Sequence, residues 1–116
     1  MRFKRGDVAL VLFPYSNLRT AKRRPVLVVQ ADDLQSGLSQ TIVAMSTSNM
    51  ERAGHASRVA VMKSMALGQR LGLLTDSVVM TDNLATVFVG EIDRVIGQCD
   101  DMTTVDAALR HTLGLA

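Results

Sequence analysis

The chain has 116 residues, the size of a single domain, and carries 13 Lys and Arg against 11 Asp and Glu, a net charge of +2. Hydrophobic residues make up 47% and charged residues 21%, which excludes an intrinsically disordered protein. One Cys excludes an intramolecular disulfide, and with two His it provides no cluster typical of a zinc site. We therefore expect one folded domain over residues 1–116, with no metal or cofactor, in the reducing cytoplasm.

The two ends of the chain carry opposite charge. Up to Arg24 there are seven cations and one acid, a net of +6, whereas from Leu74 onward two cations and seven acids give −5. A basic segment of this kind favours an anionic partner such as nucleic acid. Because the chain has four aromatic residues and no Trp, contacts with RNA would depend on charge and hydrogen bonds rather than on base stacking.

Membrane insertion and secretion are not expected. The apolar run at residues 8–13 is short, follows Asp7 and ends at Pro14, so it does not resemble a cleaved signal peptide. The longest uncharged stretch, residues 34–50, contains polar residues throughout and lacks the roughly 20 apolar residues that a spanning helix needs. We predict a soluble protein with no membrane partner.

Short β-branched runs separated by turn residues predict an antiparallel β protein. The predicted strands are residues 8–13, 26–29, 41–45, 58–62, 77–80 and 94–99. Residues 86–89 either pair briefly or turn a corner, and residues 63–70 form either a short helix or part of a loop. Because no ten-residue helical pattern separates successive strands, parallel βαβ units are not expected.

The C-terminal residues predict a helix. Its apolar stripe at helical spacing consists of Met102, Val105, Leu109 and Leu113. Asp100 and Asp101 can cap its start, and Gly114 can end it. The predicted fold is therefore mainly β, a small curled antiparallel sheet or barrel with a C-terminal α-helix packed against it.

Three consecutive cations, Lys22, Arg23 and Arg24, end at Pro25, where the second strand is predicted to begin. A guanidinium held at the root of a strand can bind a phosphate bidentately and stabilise charge that develops on it. The alternative is a solvated basic turn that keeps the end of the sheet soluble, and residue types alone do not decide between the two.

Polar groups also flank the third and fifth predicted strands. Residues 46–49 offer three hydroxyls and an amide, although these residue types also form ordinary turns. Asp76 and Asp82 bracket the fifth strand on one face, where one could orient a substrate or accept a proton. Acids beside strands are common as edge charges, so residue types alone favour the structural roles.

Two histidines could form the acid and base pair of a ribonuclease. His55 lies in a loop with a glycine, and His111 lies in the last turn of the predicted helix. The helix dipole is sufficient to explain a cation at that end. We do not expect these histidines to act as a catalytic pair.

In combination, these motifs resemble the PemK/MazF family of toxins from type II toxin–antitoxin systems. The matching segments run in order along nearly the whole chain: RGDVALVLFP at 5–14, KRRPVLVVQ at 22–30, IVAMST at 42–47, DSVV at 76–79 and AALRHTLGL at 107–115. The Gly-Asp-Val opening and the Arg-Pro-Val-Leu-Val element are moderately specific singly and much more specific together.

The resemblance implies a small SH3-like barrel that forms a homodimer and is a sequence-specific endoribonuclease, cleaving single-stranded RNA, such as mRNA, without a metal. Such a toxin inhibits growth, is restrained by a cognate antitoxin and can join it on operator DNA. By motif position the resemblance implies Arg24 and Thr47 as catalytic residues, with residues 14–23 as an RNA-contacting loop. The expected RNA-binding residues are Asn17, Arg19, Lys22, Arg23, Ser48, Asn49, Asp76, Ser77 and Asp82.

One position departs from part of the family. Some PemK-like members carry an Arg two positions before the catalytic Asp of the fifth strand, whereas this chain has Met80 there and retains Asp82. A proton donor at that position is therefore absent. This favours the form of the site that relies on Arg24 and Thr47, with Asp82 as a substrate contact or orienting group.

A non-enzymatic protein of the same fold is the alternative. Relatives that poison DNA gyrase use a Trp near the C-terminus, and this chain contains no Trp. A pure nucleic-acid-binding module would bind RNA with an affinity that falls with salt, but would not cleave it. A cleavage assay separates that module from an enzyme.

Overall fold

The computed structural model describes residues 3–14, 21–32, 34, 37–62 and 75–115. The predicted strands and helix in these ranges are present with adjusted ends, whereas the ambiguous segment 63–70 lies outside them. The elements are β1 (Asp7–Pro14), β2 (Ala21–Val28), β3 (Gln40–Thr47), β4 (Arg58–Val61), β5 (Ser77–Phe88), a 3-10 turn (Val89–Glu91), β6 (Ile92–Gln98) and α1 (Thr103–Leu113).

The strands form one antiparallel sheet in the order β4-β5-β3-β2-β1-β6. β4 and β6 lie at its two edges, and no pairing joins them in the described part of the chain. The sheet is therefore curled but not closed by hydrogen bonds. This architecture, with α1 at the C-terminal end, confirms the predicted mainly-β fold with a C-terminal helix.

The sheet buries apolar side chains on both faces. Successive strand residues point to opposite faces, and accordingly Leu27 packs in one core cluster with Val105 of α1. Its neighbour Val26 packs in a second cluster with Val11 and Val43. The uninterrupted Val-rich runs in the sequence follow from this arrangement, because a strand that is buried on both faces needs apolar residues at consecutive positions.

The largest differences from the predicted boundaries are in β2 and β5. β2 begins at Ala21, so Arg24 lies inside the strand rather than at its root. β5 is one strand of 12 residues, whereas the sequence predicted a strand at 77–80 and left open whether residues 86–89 pair or turn. Its middle, residues 81–83, forms a bulge, because Ala44 pairs with Leu84 while the next residue, Met45, pairs with Met80.

The helix ends at Gly114 as its sequence predicts, but its N-cap residue is Met102 rather than Asp100 or Asp101, and Met102 makes no capping hydrogen bond. The Asp101 carboxylate accepts hydrogen bonds from the Thr103 amide at 3.0 Å and the Thr103 hydroxyl at 2.6 Å. Gly114 ends α1 in the left-handed conformation, with φ of 69°. Within the described ranges, no helix is long and apolar enough to cross a bilayer.

Ion pairs connect the basic and acidic parts of the chain. Arg5 Nη2 donates to Asp106 Oδ1 of α1 at 2.6 Å, and its Nε donates to the Val29 carbonyl at 2.9 Å. Arg23 Nε lies 3.2 Å from Asp93 Oδ2 on β6. The charge separation seen along the sequence is therefore partly neutralised within the fold.

Gly6 allows the N-terminal segment to pass close to Cys99. Its φ is +94°, and a Cβ there would lie 2.6 Å from the Cys99 carbonyl oxygen. Two backbone hydrogen bonds fix this approach, one from Gly6 to Val28 at 2.8 Å and one from Cys99 to Gly6 at 2.7 Å. The backbone therefore has little freedom to accommodate a side chain.

We expect Gly6→Ala to lower the free energy of unfolding by roughly 2 kcal/mol or more, from backbone strain and the clash together. Gly54→Ala is the matched control, because a Cβ there meets no atom within 4 Å, and it should change stability by less than about 0.5 kcal/mol. Urea denaturation measures both, and equal unfolding midpoints for the two variants would contradict this account of Gly6.

Candidate functional site

The hydrogen-bonded ladder between β2 and β3 ends at Pro25. The paired residues run from Val28 to Val26 on β2, and Ser46 Oγ of β3 donates to the Pro25 carbonyl at 2.7 Å. In an antiparallel strand the nitrogen and carbonyl of one residue point to the same side. The Pro25 nitrogen therefore faces β3 without an N–H to donate, and β2 before Pro25 pairs with β1 alone.

Arg24 and Thr47 lie where the two strands have stopped pairing. Val26 pairs with Met45, so two residues further along, the same register places Arg24 opposite Thr47. Alternation puts both on the face of the second core cluster, with Val26 and Met45. A guanidinium and a hydroxyl on one face can bind two oxygens of the same phosphate.

The donor groups of both residues remain available. Half-buried Arg24 makes no ion pair or hydrogen bond with any residue in the described ranges. Thr47 Oγ1 accepts a hydrogen bond from the Asn49 amide at 3.1 Å. The Thr47 hydroxyl proton makes no bond to a described residue and is free to reach a ligand.

An open cleft of about 240 Å³ lies next to Thr47. Its lining residues are Thr47, Asn49, Glu51, Arg52, Arg58 and Met80. Arg58 and Met80 are directly paired between β4 and β5, and Met80 pairs with Met45 of β3. Arg58 thus reaches the cleft from a strand that the sequence did not connect with the site.

Arg58 holds the carboxylate of Asp82. Its Nη2 donates to Oδ2 at 3.1 Å, and its Nε lies 2.8 Å from Oδ1, although that N–H is not directed at the oxygen. The hydrogen bond from Arg58 and the charge of its guanidinium lower the pKa of Asp82, with a smaller contribution from His55. Asp82 is therefore ionised at neutral pH and is a weak proton acceptor.

The bulge in β5 is anchored by Thr81, which is fully buried. Its hydroxyl donates to the Ser57 carbonyl at 2.5 Å, and its oxygen lies 2.8 Å from Thr112 Oγ1. Because a hydroxyl has a single proton, Thr112 is the donor in the second bond. These contacts tie the bulge to the start of β4 and to α1, and so place Asp82 beside Arg58.

The predicted basic residues do not all lie on one face. Arg23 is on the face opposite to Arg24 and pairs with Asp93 across β1. Lys22 lies on β2, but its side chain is outside the described residues, as are Asn17 and Arg19. Of the three consecutive cations, Arg24 is the one whose described side chain strand alternation puts on the face of Thr47.

The predicted polar residues also separate. Ser77 is buried and its hydroxyl donates to the Thr75 carbonyl at 3.1 Å, so it is not offered to a ligand. Asp76 is exposed just before β5, and Ser48 is exposed just after β3. Asn49 lines the cleft, although its side-chain oxygen accepts the Glu51 amide at 2.9 Å in a local turn.

The two histidines, distant in sequence, lie together. Their ring centroids are 6.2 Å apart in an edge-to-face arrangement. His55 Nδ1 accepts the Ser57 amide at 3.1 Å and lies 2.7 Å from Ser57 Oγ. Neither ring lines the cleft, and no three His, Cys, Asp or Glu side chains converge as metal ligands anywhere in the described part of the chain.

Residues 4–113 match the family model described as a PemK-like, MazF-like toxin of type II toxin–antitoxin systems. The match covers nearly the whole chain, including every element of the sheet and α1. A search of curated protein sequences finds no match.

Several solved structures share the fold. The Mycobacterium tuberculosis toxin MazF-mt6 is 24% identical, with 95% of this chain and 98% of that chain covered and a TM-score of 0.72. A mycobacterial endoribonuclease in complex with its cognate antitoxin is 22% identical, with 98% and 97% covered and a TM-score of 0.74. MazE-MazF from Deinococcus radiodurans is 17% identical over the full length of both chains, with a TM-score of 0.76.

The hydrogen bonds of Thr81 lead to a test of the bulge. We expect Thr81→Val to lower the free energy of unfolding by about 1–3 kcal/mol, because the half-buried Thr112 hydroxyl loses its acceptor and the Ser57 carbonyl loses a donor. Thr86→Val, on an exposed part of the same strand, is the matched control and should change stability by less than about 0.5 kcal/mol. The bulge is not anchored as described if urea denaturation shows no difference between the two variants.

Proposed function

Because the chain belongs to the PemK-like, MazF-like toxins of type II toxin–antitoxin systems, we propose that it is an endoribonuclease that cleaves single-stranded RNA, such as mRNA. In this proposal the phosphate that is cleaved binds between the side chains of Arg24 and Thr47. The observation that supports this site is the β2–β3 register, because its extension by two residues would bring the Arg24 guanidinium opposite the Thr47 hydroxyl. A structural neighbour is itself called an endoribonuclease. The toxic effect is then the arrest of growth by destruction of mRNA.

The proposed reaction uses the 2′-hydroxyl of the RNA as the nucleophile and requires no metal. The 2′-oxygen forms a bond to phosphorus, the bond from phosphorus to the 5′-oxygen breaks, and the products end in a 2′,3′-cyclic phosphate and a 5′-hydroxyl. The 2′-hydroxyl proton leaves to a base, and the departing 5′-oxygen takes up a proton. The protein accelerates this reaction most by stabilising the negative charge that develops on the five-coordinate phosphorus.

Arg24 fits that stabilising role. Its guanidinium is permanently charged and offers paired donors to phosphoryl oxygens. The Thr47 hydroxyl can donate to another oxygen of the same phosphate. A charged guanidinium has no lone pair free to accept a proton, so Arg24 is a poor base. Asp82 is also a poor base, because Arg58 lowers its pKa.

The proposed partners are a cognate antitoxin and a second copy of the chain. One structural neighbour was solved with its cognate antitoxin. An acidic antitoxin segment would compete with RNA for the face that carries Arg24, and the complex would bind operator DNA. Large apolar side chains exposed on the described surface, such as Phe88 at 64%, are consistent with a homodimer. Action on mRNA places the protein in the cytoplasm.

Incubation of the purified protein with a long single-stranded RNA in EDTA tests the proposal. We expect fragments with 5′-hydroxyl ends, and we expect Arg24→Ala to lower the cleavage rate on the order of 100-fold, since one donor to the transition state is lost. Arg23→Ala is the matched control. It removes the same charge from the opposite face, so it should cost only a few-fold, mainly through KM.

Each other outcome has a distinct meaning. Intact RNA that is bound less tightly as salt rises would identify a binding module without nuclease activity. Cleavage that EDTA abolishes would contradict the metal-independent reaction. Equal losses for Arg24→Ala and Arg23→Ala would show that Arg24 has no special place at the phosphate.

A further inference from the structure

The second guanidinium on this face belongs to Arg58, which neither the motifs nor the proposed reaction uses. We propose that Arg58 recognises a base of the RNA in the cleft next to Thr47, with a preference for guanine, and that Asp82 is a positioning residue that acts through Arg58. This inference rests on the proposed function, because it assigns a specificity residue to the same RNA.

Arg58 is close enough to Thr47 to contact the same stretch of RNA. Thr47 pairs with Val78, Val78 pairs with Ala60, and Arg58 lies two residues from Ala60 along β4. With strands about 4.8 Å apart and about 3.3 Å per residue, the two Cα atoms are roughly 12 Å apart. Their side chains line one cleft, so RNA with its cleaved phosphate at Thr47 can place a neighbouring base against Arg58.

Asp82 fixes the guanidinium in one orientation. The Arg58 side chain is only 17% exposed, its Nη2 donates to one oxygen of Asp82, and its Nε lies 2.8 Å from the other. Nη1 makes no hydrogen bond to a residue in the described ranges. Nη1 and the second N–H of Nη2 therefore form a pair of donors along one edge of the guanidinium. The direction of this pair is set before RNA binds.

The lining of the cleft suits a base better than a phosphate. The charge of Arg58 is balanced by Asp82, and Arg52 is accompanied by Glu51, so the cleft lacks the excess positive charge that a phosphate favours. Met80 provides an apolar surface for a flat ring, and the volume of about 240 Å³ exceeds what a phosphate fills.

Guanine matches the free edge of Arg58 better than adenine does. Its O6 and N7 are adjacent acceptors, and a guanidinium can donate to both at once. Adenine presents one acceptor and one donor at the same edge, so a guanidinium gains one bond and meets one repulsive contact. Unpaired RNA leaves this edge accessible to protein side chains.

Sequencing the cut ends from a random single-stranded RNA pool tests the proposal. The wild type should prefer guanine at one position near the cut. Arg58→Gln should abolish that preference, with about a tenfold or greater loss at guanine sites and little change at other sites. Arg94→Gln, which removes an exposed cation on β6 at the opposite edge of the sheet, is the matched control and should leave the preference unchanged.

Asp82 should act only through Arg58. Asp82→Asn should weaken the guanine preference in the wild type and should add nothing in the Arg58→Gln background, because the residue that it positions is then gone. Additive losses in this double-mutant cycle would mean that Asp82 contacts RNA itself. Arg58→Lys keeps the charge but not the paired donors, so it should lose the preference even if Arg58→Gln fails to fold.

Two results would overturn the role of Arg58. An unchanged preference in both Arg58 variants would show that it does not recognise a base. A loss of cleavage that is equal at all sites would show instead that Arg58 binds phosphate. In that case the salt dependence of RNA binding would also fall by about one phosphate contact. The same comparison can be made by binding alone, with the RNA pool bound to Arg24→Ala protein, which leaves the RNA intact. If the wild type does not cleave RNA, the proposed nuclease activity is rejected, but the base preference of Arg58 can still be measured.

Discussion

The missing N–H of Pro25 is the constraint on which the site depends. β3 continues beside β2, but the ladder of paired residues between them ends at Val26 and Met45. At Pro25 the carbonyl instead accepts a hydrogen bond from the Ser46 hydroxyl. Extended two residues past Val26 and Met45, the same register puts Arg24 opposite Thr47. Arg24 can therefore lie opposite a free hydroxyl on Thr47 while its own strand stays fixed by β1.

A second interruption, on the other side of β3, shapes the cleft. The bulge at residues 81–83 turns Asp82 toward β4, and the buried Thr81 hydroxyl holds the bulge against Ser57 and Thr112. The result is a guanidinium, that of Arg58, held rigidly in a half-buried position. Arg24 thus lies just past the end of the β2–β3 ladder, whereas Arg58 is paired with Met80 directly before the bulge of β5.

Much of the fold could be predicted from local patterns. β-branched runs gave the strands of the described region, and one apolar stripe with Asp101 and Gly114 at its ends gave α1. Motif order placed Arg24 and Thr47 before their register was known. The continuity of β5 was missed because the polar residues 81–83 resemble a turn, whereas the bulge satisfies them through contacts with distant residues.

Contacts between distant segments could not be predicted. Arg58 opens a short strand, and nothing local indicates that this strand pairs with β5 beside β3. The pairing of Arg23 with Asp93 and of Arg5 with Asp106 likewise depends on how the strands and α1 come together in the fold. Counting charges along the chain therefore overstated the basic face, because these ion pairs neutralise part of it and leave Arg24 as the cation next to Thr47.

A crystal structure of the protein with a short RNA, blocked by a 2′-deoxy nucleotide at the cut, tests the central claim most directly. The account predicts one phosphate with its oxygens about 3 Å from both the Arg24 guanidinium and the Thr47 hydroxyl. A phosphate bound on the opposite face at Arg23, with Arg24 and Thr47 out of contact, would contradict it.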